Sequence, residues 1–107
     1  MALPVVCISR GRFDSGRYED IRKRLADARL TLIPAIQALP GMLHYYVGID
    51  AVTSTMVNVS VWNSLEHAQQ MSTLAPMLAL AGTFQSVGVE FEPMANYETL
   101  WEIGSEF

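Results

Sequence analysis

The stretch TMVNVSVW, residues 55–62, alternates almost without fault. Val57, Val59 and Val61 fall on one side of an extended chain, and Met56, Asn58, Ser60 and Trp62 fall on the other. Period-two alternation with β-branched residues predicts a strand. A sheet with one wet face is apolar inside and polar outside, yet the second side here carries no charge and ends in an indole. Both sides of this strand read as desolvated, so the fold must supply a cover for each.

The flanking segments supply one cover. Upstream, MLHYYVGI (42–49) predicts a second strand, joined to the first through DAVTS as a hairpin. Downstream, NSLE offers Asn63 as a helix cap with Glu66 three residues on, a variant of the capping box. The helix it opens is expected over about Ser64 to Phe84, bent or split near Pro76. At the start of the chain, Val5 to Phe13 reads as a strand, followed in FDSGRYED by Asp14 or Ser15 as an N-cap. Tyr18, Ile21, Leu25, Ala28, Leu32, Ile36 and Leu39 then recur at spacings of three and four, the mark of an amphipathic helix. Pro34 removes the bond to the Leu30 carbonyl and predicts a kink. Pro40-Gly41 ends that helix. A last strand is expected from near Gly88, interrupted at Pro93 and resuming through NYETLWEI (96–103).

The order strand, helix, strand, strand, helix, strand is the split βαβ arrangement of a ferredoxin-like α+β fold. It predicts a four-stranded antiparallel sheet with two helices on one face. Two helices cover only that face, and large apolar patches normally mark interfaces. A second copy of the sheet is therefore expected on Val57, Val59 and Val61, giving a homodimer.

Composition narrows the remaining possibilities. At 107 residues the chain is read as one domain, residues 1–107. Only 17% of residues are charged, against a usual fraction of roughly 25%, which fits a domain that hides surface against another copy. All seven basic residues lie in the first 29 positions, but Glu19, Asp20 and Asp27 interleave with them, and the net charge is −4. A solvated helix face, rather than a nucleic-acid site, follows. No apolar run approaches the ~18 residues that cross a bilayer, so no membrane partner is expected. The start, MALPVVCISRGRF, is read as a strand of a soluble cytoplasmic protein. Cys7 is read as a buried, inert thiol. Two separated histidines and one cysteine give no metal-ligand spacing, and no glycine-rich phosphate loop occurs, so neither metal nor cofactor is expected.

With these elements in place, the chain resembles the antibiotic biosynthesis monooxygenase-like branch of the dimeric α+β-barrel superfamily. The resemblance spans nearly the full length. It is carried by the element order, VNVSVW (57–62), NSLEHAQQM (63–71) and GVEFEPMANYETLWEI (88–103). It implies two sheets closing into a barrel, with the aliphatic side of the third strand meeting the partner. It also implies that Asn58 and Trp62, four residues apart, face a pocket between sheet and helices, with Ser60 beside them. Family oxygenases act without a cofactor on aromatic polyketides. Where they place a Tyr and an Arg on the second helix, this chain has about Ala68 and Gly82. The Asn and axial His of the haem-degrading members fall at Cys7–Ser9 and Ala81–Gly82, so haem degradation is disfavoured.

The implied reaction removes a proton from a phenol or anthrone, and the resulting carbanion reduces O2. Ionising a phenol of pKa about 10 at neutral pH costs ~4 kcal/mol. One buried donor to the oxyanion supplies ~2.7–4 kcal/mol. Asn58 and Trp62 are expected as such donors. The base is sought in MLHYYVGI, where His44 and Tyr46 share one side and Tyr45 the other, and hairpin register decides between them. Gly48 leaves room on the first side, so His44 is expected as the base, with Tyr46 and Ser60 contacting substrate. Asn96 and Tyr97 are expected either to contribute to the pocket or to hold the dimer, the second being favoured, and His67 to lie in solvent. The alternative is a non-catalytic dimeric barrel that binds a small apolar ligand.

Overall fold

The computed structural model describes residues 3–104. Its elements are β1 (Val5–Arg12), α1 (Tyr18–Gln37), β2 (Met42–Asp50), β3 (Thr55–Trp62), α2 (Leu65–Ala68), α3 (Ala75–Ser86), β4 (Glu90–Phe91) and β5 (Ala95–Glu98). Every pairing is antiparallel, in the order β2-β3-β1-β4, with β5 also on β1. β4 and β5 are two halves of one edge strand, parted at residues 92–94 where Pro93 offers no N–H to the ladder. This is the ferredoxin-like α+β arrangement expected from the element order.

Local chemistry sets the helix boundaries. The Asp14 carboxylate accepts from the Gly16 N–H at 3.2 Å, and a single 3-10 turn, Ser15–Arg17, leads into α1. α1 buries Ile21, Leu32 and Ile36 and continues through Pro34, whose carbonyl accepts from Ala38 N–H at 3.3 Å. The proline deletes one bond near the helix end without ending the helix. Gly41 then turns the chain at φ +82°, with the His67 ring packed where a Cβ would stand.

The second helical layer is split near Pro76, as expected for residues 64–84. Ser64, not Asn63, is the cap: its Oγ accepts from His67 N–H at 3.2 Å. After α2 and a 3-10 turn, Gln69–Ser72, the chain restarts as α3 with Pro76 in its first turn. A proline is tolerated there because that N–H has no helical partner to lose. His67 is half-buried against Gly41 instead of lying in solvent.

Most buried side chains form two clusters on the helical side of the sheet, whereas Val61, expected to await a partner, is already 1% exposed on the other face. Val5, Cys7, Leu32, Ile36, Trp62, Ala68 and Met71 make one. Phe13, Ile21, Met56, Phe84 and Val89 make the other. The last strand stops at Glu98 instead of running to Ile103. Thr99 N–H donates to the Pro4 carbonyl at 3.3 Å, and the ladder between β1 and β5 ends with Glu98 opposite Val5. Leu100, Trp101 and Ile103 are consequently exposed. Among the described residues, no helix is long and apolar enough to cross a membrane.

Candidate functional site

Cross-strand partners share a face, so the register reads as rows across β1, β3 and β2. On the helical face the rows are Val5–Trp62–Met42, Cys7–Ser60–Tyr45, Ser9–Asn58–Val47 and Gly11–Met56–Ile49. The outermost rows feed the two core clusters. The Ser9–Asn58–Val47 row lies between them, and over it the packing opens into a cleft of about 480 Å³. That volume is in the range of small-molecule sites, roughly 300–1,000 Å³. α1 lines the cleft with Leu25, Ala28, Leu32 and Ile36, and α3 with Met77, Leu80 and Phe84. The walls are therefore mostly apolar, and the polar groups are few.

Asn58 is the central one. It is half-buried on the cleft side, and its amide has no hydrogen-bond partner among the described residues. Ser9 stands opposite it on β1 and also lines the cleft. An amide in an apolar cleft without a partner is a group prepared to bond something that enters.

Trp62 and Ser60 lie on the same side of β3 but below the cleft. Both are 0% exposed, and the indole Nε1–H donates to Ser60 Oγ at 2.8 Å. Burial pushes the Cys7 thiol above its ordinary range, with a hydrogen bond to Ser60 offsetting part of the effect. Trp62, Ser60 and Cys7 thus form a closed floor, and the expectation of a free indole donor in the pocket is not met.

His44 and Tyr46 are on the other face. The register pairs His44 with Val61 and Tyr46 with Val59, away from Asn58. Their rings stack 6.0 Å apart at 3°, with the Tyr46 hydroxyl 3.5 Å from His44 Nδ1. The placement of His44 and Tyr46 beside the cleft is therefore corrected, and the cause is specific. Met42 pairs with Trp62 but His44 pairs with Val61, so a bulge at Leu43 sets two residues against one and inverts the alternation beyond it. Tyr45 takes the cleft side in their place. Its hydroxyl is buried without a partner, and burial, with Cys7 nearby, pushes its ionisation above the ordinary value of 10.0. Tyr45 is therefore a neutral donor at physiological pH and not a base.

Two contributors come from helices and had no strand pattern to announce them. Arg29 on α1 and Gln85 on α3 border the cleft, as does Glu92 at the bend between β4 and β5. The spacing Leu25, Arg29, Ile33 could have shown Arg29, since residues four apart share one helix face. Of the residues expected to hold a dimer, Tyr97 pairs with Val6 on the outer face, whereas Asn96 pairs with Cys7 on the helical one.

No family model matches the chain, and no curated relative matches its sequence. Solved structures do. A Deinococcus radiodurans protein, provisionally assigned as an antibiotic biosynthesis monooxygenase, superposes with TM-score 0.72 at 15% identity, covering 96% of this chain and 99% of the other. SnoaB, a cofactor-independent oxygenase from Streptomyces nogalater, superposes with TM-score 0.66 at 13% identity, over 97% and 100%. A Nitrosomonas europaea protein of unknown function, NE2512, reaches 0.71 at 14%, over 97% and 96%. Identities this low speak for architecture and not for chemistry. The chain is built on the α+β fold of the antibiotic biosynthesis monooxygenase-like proteins.

Proposed function

We propose that the protein is a cofactor-independent monooxygenase of a small planar aromatic, a phenol or anthrone, acting as a cytoplasmic homodimer with one cleft per subunit. The observation that carries this reading is the open apolar cleft resting on the unpartnered amide of Asn58. A flat ring fills the space between β3 and the helices, and the Asn58 amide and Tyr45 hydroxyl donate to its oxygen. Those bonds strengthen as the oxygen becomes anionic, which favours loss of the ring's acidic C–H proton. The carbanion then passes electrons to O2. In an anthrone the CH2 carbon becomes a carbonyl with one oxygen atom, and the other oxygen leaves as water. In a phenol, which loses its O–H proton instead, a ring C–H ortho or para to the oxygen becomes the quinone carbonyl with the same release of water. With His44 on the outer face, Glu92 is the one carboxylate among the described residues bordering the cleft, so the proton leaves on that open side.

The absence of an imidazole from the cleft lining favours a second reading, a dimeric barrel that binds a small apolar ligand without turning it over. Oxygen uptake with anthrone and a panel of hydroxylated naphthalenes separates the two. On the first reading wild type consumes O2 above background, and Asn58→Ala slows it by about 10²–10³, the usual loss of an oxyanion donor. Uptake at the background rate for both proteins, with the aromatics still bound, establishes the second.

A further inference from the structure

The cleft is apolar over most of its wall, yet one cation stands on it. Arg29 is the only Lys or Arg among the described residues that line it. Of the other cations on the first helix, Arg24 reaches Asp20 at 3.0 Å and Lys23 reaches Asp27 at 3.6 Å, while Arg22 is exposed and does not line the cleft. Arg29 has no acid one helical turn away, since the residues three and four positions from it are Leu25, Ala26, Leu32 and Ile33. It makes no ion pair among the described residues. Arg29 is itself exposed, so its side chain stands at the solvent edge of the cleft, on a helix whose neighbouring positions are aliphatic. In a chain of net charge −4, such a placement selects for an anion that general electrostatics would repel.

We propose that the cleft's ligand is an aromatic acid, whose carboxylate pairs with Arg29 while its ring lies between Asn58 and the helices. This rests on the reading of the cleft as an aromatic site and adds the charge of the occupant. A guanidinium takes a carboxylate in a planar, two-bond geometry that a neutral ring cannot use. Glu92, the one acid on the cleft lining, opposes the carboxylate and sets the upper limit of the gain.

The test is calorimetric titration at pH 7.5 with 2-naphthol and with 6-hydroxy-2-naphthoic acid, which share a bicyclic phenol and differ by the far carboxylate. Wild type is expected to bind the acid about 10-fold more tightly, a preference that shrinks with added salt. Arg29→Gln should bring the acid to the level of 2-naphthol and leave 2-naphthol within about twofold, while Arg29→Lys retains part of the preference. Glu92→Gln should tighten the acid alone. Equal affinities in wild type, or a preference that survives Arg29→Gln, overturns the anion assignment and leaves the aromatic site standing. Failure of both probes to bind overturns both.

Discussion

Tyr45 shows how one side chain ties the site to stability. Its hydroxyl is buried without a partner, a state that costs about 1–3 kcal/mol and is relieved when a ligand oxygen or a phenylalanine takes its place. Tyr45→Phe should therefore leave stability at pH 7 unchanged or raise it by up to ~1 kcal/mol, while weakening a bound phenol. The pH dependence has a definite sign. In the unfolded chain Tyr45 ionises near its ordinary 10.0, and in the folded chain it ionises later. Above pH 10 the folded state consequently holds more protons than the unfolded one, and stability falls as pH rises. Cys7 adds a loss of the same sign from its ordinary 9.0 upward. Urea denaturation between pH 8 and 11.5 should show a flat response to these two groups below about pH 9, then a decline that is shallower in Tyr45→Phe. Equal slopes for the two proteins above pH 10 would count against a buried, neutral hydroxyl. Trp62 belongs to the floor in the same sense. Trp62→Phe removes both volume and the donor to Ser60 and should destabilise by roughly 2–3 kcal/mol in the same titrations.

Elements were legible in the sequence wherever periodicity ran on without interruption, and illegible where one residue changed it. The alternation of residues 55–62 and the three-four spacing of α1 both persist in the structure because each segment buries the same side along its whole length. Asn58 on the cleft side was readable for the same reason. The bulge at Leu43 was not, since Met-Leu-His carries no glycine or proline to announce it, and that single insertion moved His44 and Tyr46 to the far face. The end of β5 was hidden differently: NYETLWEI has the pattern of a strand, but its pairing with β1 ends at Glu98 opposite Val5. Helix α1 offers a test of element-level energetics. Pro34 interrupts its bonding yet sits exposed in the last turns of a continuous helix. A proline inside a helix is about 3 kcal/mol worse than alanine, partly offset by its stiffening of the unfolded chain. Pro34→Ala should therefore raise stability by roughly 1–2 kcal/mol, seen as a higher urea midpoint at unchanged m. A lower midpoint would mean that the proline shapes a packing contact the straight helix cannot make.

At the scale of the whole molecule, the unanswered side of the sheet decides the assembly. Both helical layers lie over one face. The other carries Val6, Ile8, Val57 and Val59, only half-buried by their neighbours, together with Tyr46 and Tyr97, each more than half exposed. Four strands at ~4.8 Å spacing and eight residues at ~3.3 Å give this face a footprint of roughly 500 Å². A stable interface buries roughly 800 Å² per partner, and Leu100, Trp101 and Ile103 are further exposed apolar side chains just beyond β5. Arg10, Arg12, His44 and Asp50 share this face, so only part of it is apolar. Covering about 200 Å² of apolar surface on each subunit at ~25 cal/mol per Å² contributes on the order of 10 kcal/mol before association and ordering costs. The prediction for this face is a homodimer joined through the sheets, with each cleft left open on the helical side. Sedimentation velocity at micromolar concentration should give twice the 11.9 kDa chain mass. Val59 sits between Ile8 and Tyr46 at the centre of the face, where a charge has no room to reach water once a partner is present. Val59→Lys should therefore sediment as a folded monomer, with circular dichroism unchanged because Val59 is only half-buried in the isolated chain and a lysine there can carry its ammonium into solvent. A wild-type protein that sediments as a single chain, or a Val59→Lys variant that still dimerises, would place the contact elsewhere and leave this face for a different cover.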